Sequence, residues 1–158
     1  MNYNQPTISI VYTSKTGNTK SLAMYIYFIL MKKGLLKTSV HSIDQFNMKS
    51  ICQSDVIVIG TYTWRNGEIP KEMVELYSKL ECLNQSTIVT GVFGTGDRFY
   101  PNYCGAVNFF RDMLFQHTVL AATLKVELMP QESDIQKCFK FVEAVLHKLN
   151  YLDKNGGD

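Results

Sequence analysis

The sequence has no closely spaced cysteine pair. Cys52, Cys82, Cys104 and Cys138 are scattered along 158 residues, with no CxxC among them. That pattern argues against a disulfide scaffold and suits reduced thiols in a cytoplasmic chain. The three histidines, His41, His117 and His147, make no ligand spacing with the cysteines, so no metal site is expected. There is little excess charge. Sixteen Lys and Arg face fourteen Asp and Glu, a net +2, which speaks against nucleic acid or an anionic membrane as an obligatory partner. No apolar run approaches the length of a membrane span. The start, MNYNQPTISIVY, lacks the basic and long apolar regions of a signal peptide. Repeats, linkers and low-complexity stretches are also missing, so one domain is expected over 1–152, with a frayed tail over 153–158.

What is present is an alternation. Short, β-branched apolar runs occur at 7–12 (TISIVY), 55–60 (DVIVIG), 87–93 (TIVTGVF) and 121–128 (AATLKVEL). Val56 to Ile59 is apolar at every position, as a strand buried on both faces reads. The more polar TSVHSI (38–43) suits an edge strand. Apolar residues at helical spacing fill 17–33, 70–82, 104–116 and 133–150. Gly34 is a stop for the first helix, Pro70 a first-turn residue for the second, and Ser133 or Asp134 an N-cap for the last. Strands alternating with helices give a doubly wound α/β domain. Ligands of such sheets bind beyond the carboxyl ends of the strands, so the loops after Tyr12, Gly60 and Phe93 are the places to search.

The first loop is TSKTGNTK (13–20). Gly17 permits a tight turn, and the amides of Lys15 to Thr19 can converge at a helix N-terminus. Ser14, Thr16 and Thr19 add hydroxyls and Asn18 an amide. This set suits a phosphate held by neutral donors, and it also reads as a hydroxyl-rich turn capping a helix. It is neither GxxxxGK[ST] nor GxGxxG. Lys15 reads as solvated, since neutral donors already fill the loop. The second loop, TYTWRNGEIP (61–70), holds the only tryptophan, Trp64. The third, GTGDRFYPNYCGAV (94–107), holds Tyr100 before Pro101, and Gly94 and Gly96 permit close backbone approach to a ligand. Alone, Tyr100 reads as an exposed loop tyrosine. Beside Trp64 and a phosphate loop, the two rings suit a flat ring system between them. Glu68 and Asp97 have no nucleophile–base partner and read as loop and docking charges.

SKTGNT (14–19), TYTWRNGE (61–68) and GTGDRFYPNYCGAV (94–107) resemble, in order and spacing, the three FMN-binding loops of flavodoxins. The resemblance covers nearly the whole chain. AATLKVEL runs straight toward the final helix, so the chain is similar to the short-chain group. The resemblance implies a flavodoxin-like three-layer α/β/α sandwich with a five-stranded parallel sheet of order 2-1-3-4-5, an order known for this family and not given by the pattern. The implied FMN set is Ser14, Lys15, Thr16, Gly17, Asn18 and Thr19; Thr61, Tyr62, Thr63, Trp64, Arg65, Asn66 and Gly67; and Gly94, Thr95, Gly96, Asp97, Tyr100, Asn102, Tyr103 and Cys104.

Within that set the resemblance implies particular roles. Ser14 and Thr16 to Thr19 take the phosphate. Trp64 covers the inner face of the isoalloxazine and Tyr100 the outer face. Asp97 and Cys104 present N–H groups to N1 and O2, and the Asn102 backbone takes the N3 proton. The Arg65–Asn66 peptide lies near N5 and turns over on one-electron reduction. The implied function is a low-potential, one-electron carrier, a monomer rather than an enzyme. Its donor would be a flavodoxin/ferredoxin reductase. Its acceptor would be a cytochrome P450, a desaturase or a ribonucleotide reductase system. Two rival readings share the fold: a flavoprotein activator of ribonucleotide reductase and an NAD(P)H:quinone reductase, the latter opposed by two covered flavin faces. Flavodoxins are typically acidic, whereas this chain has pI ≈ 8.3 and carries Arg65 and Arg98 in its flavin loops. Cations there are expected to raise the potential, and Arg65 lacks the freedom of glycine for a peptide flip.

Overall fold

A computed structural model describes residues 5–83 and 87–156. Five strands, β1 (Ile8–Tyr12), β2 (Thr38–Ser42), β3 (Val56–Tyr62), β4 (Val89–Gly96) and β5 (Val119–Glu127), alternate with helices α1 (Asn18–Lys32), α2 (Val74–Glu81), α3 (Gly105–His117) and α4 (Glu132–Asn155). Short 3-10 segments cover Met48–Gln53 and Lys71–Met73. All strand pairs are parallel, in the order β2-β1-β3-β4-β5. That is the architecture and order implied by the resemblance.

The alternation along each strand builds two cores. Ile8, Ile10, Val56 and Val58 point to one face of the sheet, where they meet Leu22, Ile26 and Leu30 of α1 and Phe141, Val142 and Val145 of α4. Val11, Ile57 and Ile59 point to the other, against Leu76 of α2 and Val107, Phe110 and Leu114 of α3. Period-2 strands meeting period-3.6 helices on both faces explain why the central runs are apolar throughout. The register sets the strand ends level. Tyr12 lies opposite Gly60, and Tyr62 opposite Thr95, so the loops after β1, β3 and β4 leave from one edge.

Several boundaries differ from the sequence reading. β3 and β4 run on to Tyr62 and Gly96, so Thr61, Tyr62, Gly94, Thr95 and Gly96 belong to strands. β5 begins at Val119, two residues early. α4 is capped by Gln131, not by Ser133 or Asp134. The Gln131 side chain accepts from the N3 backbone, and the Asp134 carboxylate accepts from Gln131 N at 2.9 Å, a reciprocal box. α4 also continues through Asn155, so the tail expected to fray from 153 is helical up to there, and 157–158 lie outside the described residues. Gly34, at φ 84, follows the end of α1 as expected. Among the described residues no helix is long and apolar enough to cross a membrane.

Candidate functional site

The loop after β1 is organised around Gly17 and Ser14. Gly17 precedes α1 at φ 94, a left-handed conformation open to glycine. With no side chain there to cap the helix, the Ser14 hydroxyl serves instead, accepting from Gly17 N at 3.1 Å and Lys20 N at 3.2 Å. The first-turn N–H groups of Asn18 and Thr19 have no intrahelical acceptor, and they stand at the positive end of the α1 dipole. Thr16 is exposed and Asn18 half-buried. The Thr19 hydroxyl is instead committed to the interior, sharing a 2.7 Å hydrogen bond with Thr95. Lys15 is exposed but not simply solvated: its ammonium sits 4.0 Å from the centroid of the Trp64 ring.

The loop after β3 is a closed turn. Trp64 N donates to Glu68 O at 2.9 Å, and Glu68 N to Trp64 O at 2.8 Å. Arg65, at φ 46, and Gly67, at φ 102, supply the reversal. Trp64 is half-buried. The Tyr62 ring meets it edge-on at 6.4 Å, and the Arg65 guanidinium carbon lies 5.9 Å from its centroid.

The loop after β4 starts with an Asp97 turn, in which Oδ1 accepts from Phe99 N at 2.9 Å. Phe99 and Tyr100 are exposed, at 87% and 62%, and meet edge to face. Arg98 lies 3.7 Å from a Glu127 carboxylate oxygen and 5.4 Å from the Tyr103 ring centroid. Asn102, φ 59, and Cys104, φ 52, turn the chain into α3. The Asn102 carbonyl, expected to take a flavin proton, already accepts from Gly105 N at 2.9 Å, which leaves it one lone pair. The Cys104 side chain is buried, and burial pushes its thiol up to about 11. Burial likewise pushes the Tyr103 phenol up to about 12. Its hydroxyl is buried without a hydrogen-bond partner among the described residues.

Each pair of loops is tied. The Thr19–Thr95 hydroxyl bond joins the first to the third. Asn102 Nδ2 donates to Asn66 O at 2.9 Å, and Ala106 N to Thr63 Oγ1 at 3.3 Å, joining the third to the second. Glu72 Oε1 accepts from Thr13 Oγ1 at 2.7 Å and from Tyr62 OH at 2.8 Å, joining the first to the second. Burial and the Glu72 carboxylate together push the Tyr62 phenol up to about 12. Glu72 is exposed; its partial desolvation acts upward, but the bond from Thr13, a backbone N–H bond, the bond from Tyr62 and the charge of Lys15 outweigh it, and the carboxyl lies below its usual value.

Several residues of the implied ligand set also hold the loops together. Thr61 is fully buried, and its hydroxyl bonds the Tyr62 carbonyl at 2.7 Å. A Cβ at Gly94 would lie 2.4 Å from the Thr61 carbonyl, and one at Gly96 3.0 Å from Cys104 Sγ. The missing side chains at these two glycines make room for neighbouring protein. Thr13 and Glu72 were not singled out from the sequence. Glu72 follows Pro70 by two residues in a helical first turn, and nothing in that spacing shows that its carboxylate meets a strand end.

The donor chemistry fits FMN. First-turn amides and hydroxyls suit its phosphate, and Trp64 and Tyr100 suit its ring. The Flavodoxin family model matches residues 10–141. The chain belongs to the flavodoxin family. It is 33% identical to probable flavodoxin 1 of Bacillus subtilis, covering 92% of this chain and 93% of that one. The flavodoxin of Streptococcus pneumoniae TIGR4 superposes with a TM-score of 0.83 at 31% identity, over 89% and 98% of the two chains. A short-chain flavodoxin associated with a bacterial microcompartment gives 0.84 at 27%, over 90% and 97%. β5 is continuous from Val119 to Glu127 and α4 begins at Glu132, in keeping with the short-chain form. Flavodoxins carry electrons on FMN and are not enzymes, which sets aside the quinone-reductase reading.

Proposed function

We propose that FMN binds across the carboxyl ends of β1, β3 and β4, and that the chain is a cytoplasmic, monomeric, single-domain carrier of single electrons at low potential. A flavodoxin/ferredoxin reductase would load it, and a cytochrome P450, a desaturase or a ribonucleotide reductase system would unload it. The observation that carries the reading is the joint presentation, at one sheet edge, of the unpaired α1 amides and the Trp64 loop, held together by side-chain hydrogen bonds.

Bound FMN supplies the redox chemistry; the protein holds it and sets its environment. Ser14, Thr16, Gly17, Asn18 and Thr19 would hold the phosphate, chiefly through backbone N–H groups and the Ser14 and Thr16 hydroxyls, because the Thr19 hydroxyl is engaged with Thr95. Trp64 and Tyr100 would cover the two ring faces and exclude water. The N–H groups of Asp97 and Cys104 would face N1 and O2, with the remaining Asn102 lone pair toward N3–H. The Arg65–Asn66 peptide would face N5, the next carbonyl being pinned by Asn102. Lys15 would leave the indole to ring or phosphate, so its charge, more than that of the paired Arg98, would bear on the potential.

Titrating FMN into flavin-free protein while following tryptophan emission tests the reading, since Trp64 is the only reporter. One-to-one quenching is expected. Trp64→Ala, followed instead by the quenching of the fluorescence of FMN itself, should weaken binding roughly ten- to a hundredfold, the worth of about 1–3 kcal/mol of stacking. An unchanged affinity in that variant would remove Trp64 from the site.

A further inference from the structure

Glu72 is outside the set that resembles flavin ligands, yet three parts of the site converge on it. One carboxylate oxygen accepts from Thr13 Oγ1 at 2.7 Å and from Tyr62 OH at 2.8 Å. Thr13 is buried and immediately precedes Ser14, the cap of the phosphate loop. Tyr62 is the last residue of β3, and its ring meets Trp64 edge-on. The charge of Lys15 acts on Glu72, while the Lys15 ammonium rests on Trp64. Glu72 itself sits on the 3-10 segment Lys71–Met73, anchored by Met73, which is fully buried.

We propose that Glu72 is a positioning residue that locks the phosphate loop to the Trp64 loop, so that the two ends of the cofactor meet a preformed cradle. The inference rests on the FMN reading given above. Two loops that grip opposite ends of one ligand must otherwise be ordered during binding, and that ordering is deducted from affinity. Hydrogen bonds to an ionised carboxylate are the stronger kind, and two of them on one oxygen fix Thr13 and Tyr62 relative to each other. The surroundings keep the group charged. Beyond Thr13, Tyr62 and Lys15, the groove on its other side presents Lys49 and Lys79 against Asp44 and Glu75, a balanced set.

Glu72→Ala removes both accepted bonds, whereas Glu72→Gln keeps an acceptor oxygen without the charge. Tyr62→Phe removes one donor and is the milder variant should Glu72→Ala fail to fold. Two readouts are taken: FMN affinity, and the emission and anisotropy of Trp64 in flavin-free protein. Glu72→Ala is expected to weaken FMN binding about tenfold and to change the Trp64 signal at neutral pH. Glu72→Gln is expected to restore the signal and return affinity to within about threefold of the parent, since a hydrogen-bond acceptor is kept. A loss of thermal stability in Glu72→Ala with parental affinity and parental Trp64 signal would overturn the positioning role. Should the parent itself bind no FMN, the functional reading fails separately. The lock is then judged on Trp64 alone: a signal altered by Ala and restored by Gln upholds it, and an unaltered signal overturns it.

Discussion

Trp64 is held on its edge by Tyr62 and carries the Lys15 ammonium on its ring, with Arg65 beside it. Cation–π contacts at such partly exposed sites are worth about 0.5–1 kcal/mol, enough to orient the indole but weak enough to yield to a flat ring. Arg65 is the strained member. A left-handed conformation in a residue with a Cβ costs about 1–2 kcal/mol, and Arg65 adopts it at φ 46. So the residue that lacks glycine's freedom takes a positive φ all the same, because the Trp64–Glu68 bridge closes the turn around it. Arg65→Gly should raise unfolding stability by up to about 1 kcal/mol, strain relief being partly offset by the entropy of glycine. Denaturant unfolding measures it. A loss of more than about 1 kcal/mol would mean that Arg65 side-chain contacts, and not the bridge, hold the turn.

At the scale of elements, the sequence showed periodicity well and ends poorly. β1, β3 and the helix faces were legible because short β-branched apolar runs stand at Ile8–Val11 and Val56–Ile59, and period 3.6 is written in Leu22–Leu30. Strand ends were not, since Thr61, Thr95 and the glycines between strands and loops have compositions that suit either. The start of α4 was misplaced for a related reason. Glutamine is a weak cap, and Gln131 serves because Asp134 returns the hydrogen bond. Lys137, 2.8 Å from Asp134, and the Gln131 N–H hold the Asp134 carboxyl below its usual value. A carboxyl lowered in the folded state adds stability above its unfolded pKa and loses it as pH falls through the folded one. Asp134→Ala should therefore destabilise the protein by about 1 kcal/mol near neutral pH, the worth of a cap. That difference should shrink toward zero as pH falls through the depressed Asp134 value. A difference that persists unchanged in acid would show that the charge of Asp134 plays no part.

For the whole molecule, the site was more legible than its wiring. The three loops could be read as one site because the alternation of strands and helices brings their ends to one edge, and the resemblance of SKTGNT, TYTWRNGE and GTGDRFYPNYCGAV named the ligand. The ties between loops join residues 76, 59, 43 and 36 apart, and no local pattern encodes such pairs. Two cysteines are buried and two exposed, and all four are free. The central claim is that this fold holds FMN for one-electron traffic, and stepwise dithionite reduction of the FMN-loaded protein, followed by its visible spectrum, tests it most directly. The account predicts paired flavin bands that pass through a transient blue one-electron-reduced form before bleaching. A protein that takes up no FMN, or flavin bands that bleach in a single two-electron step, would contradict it.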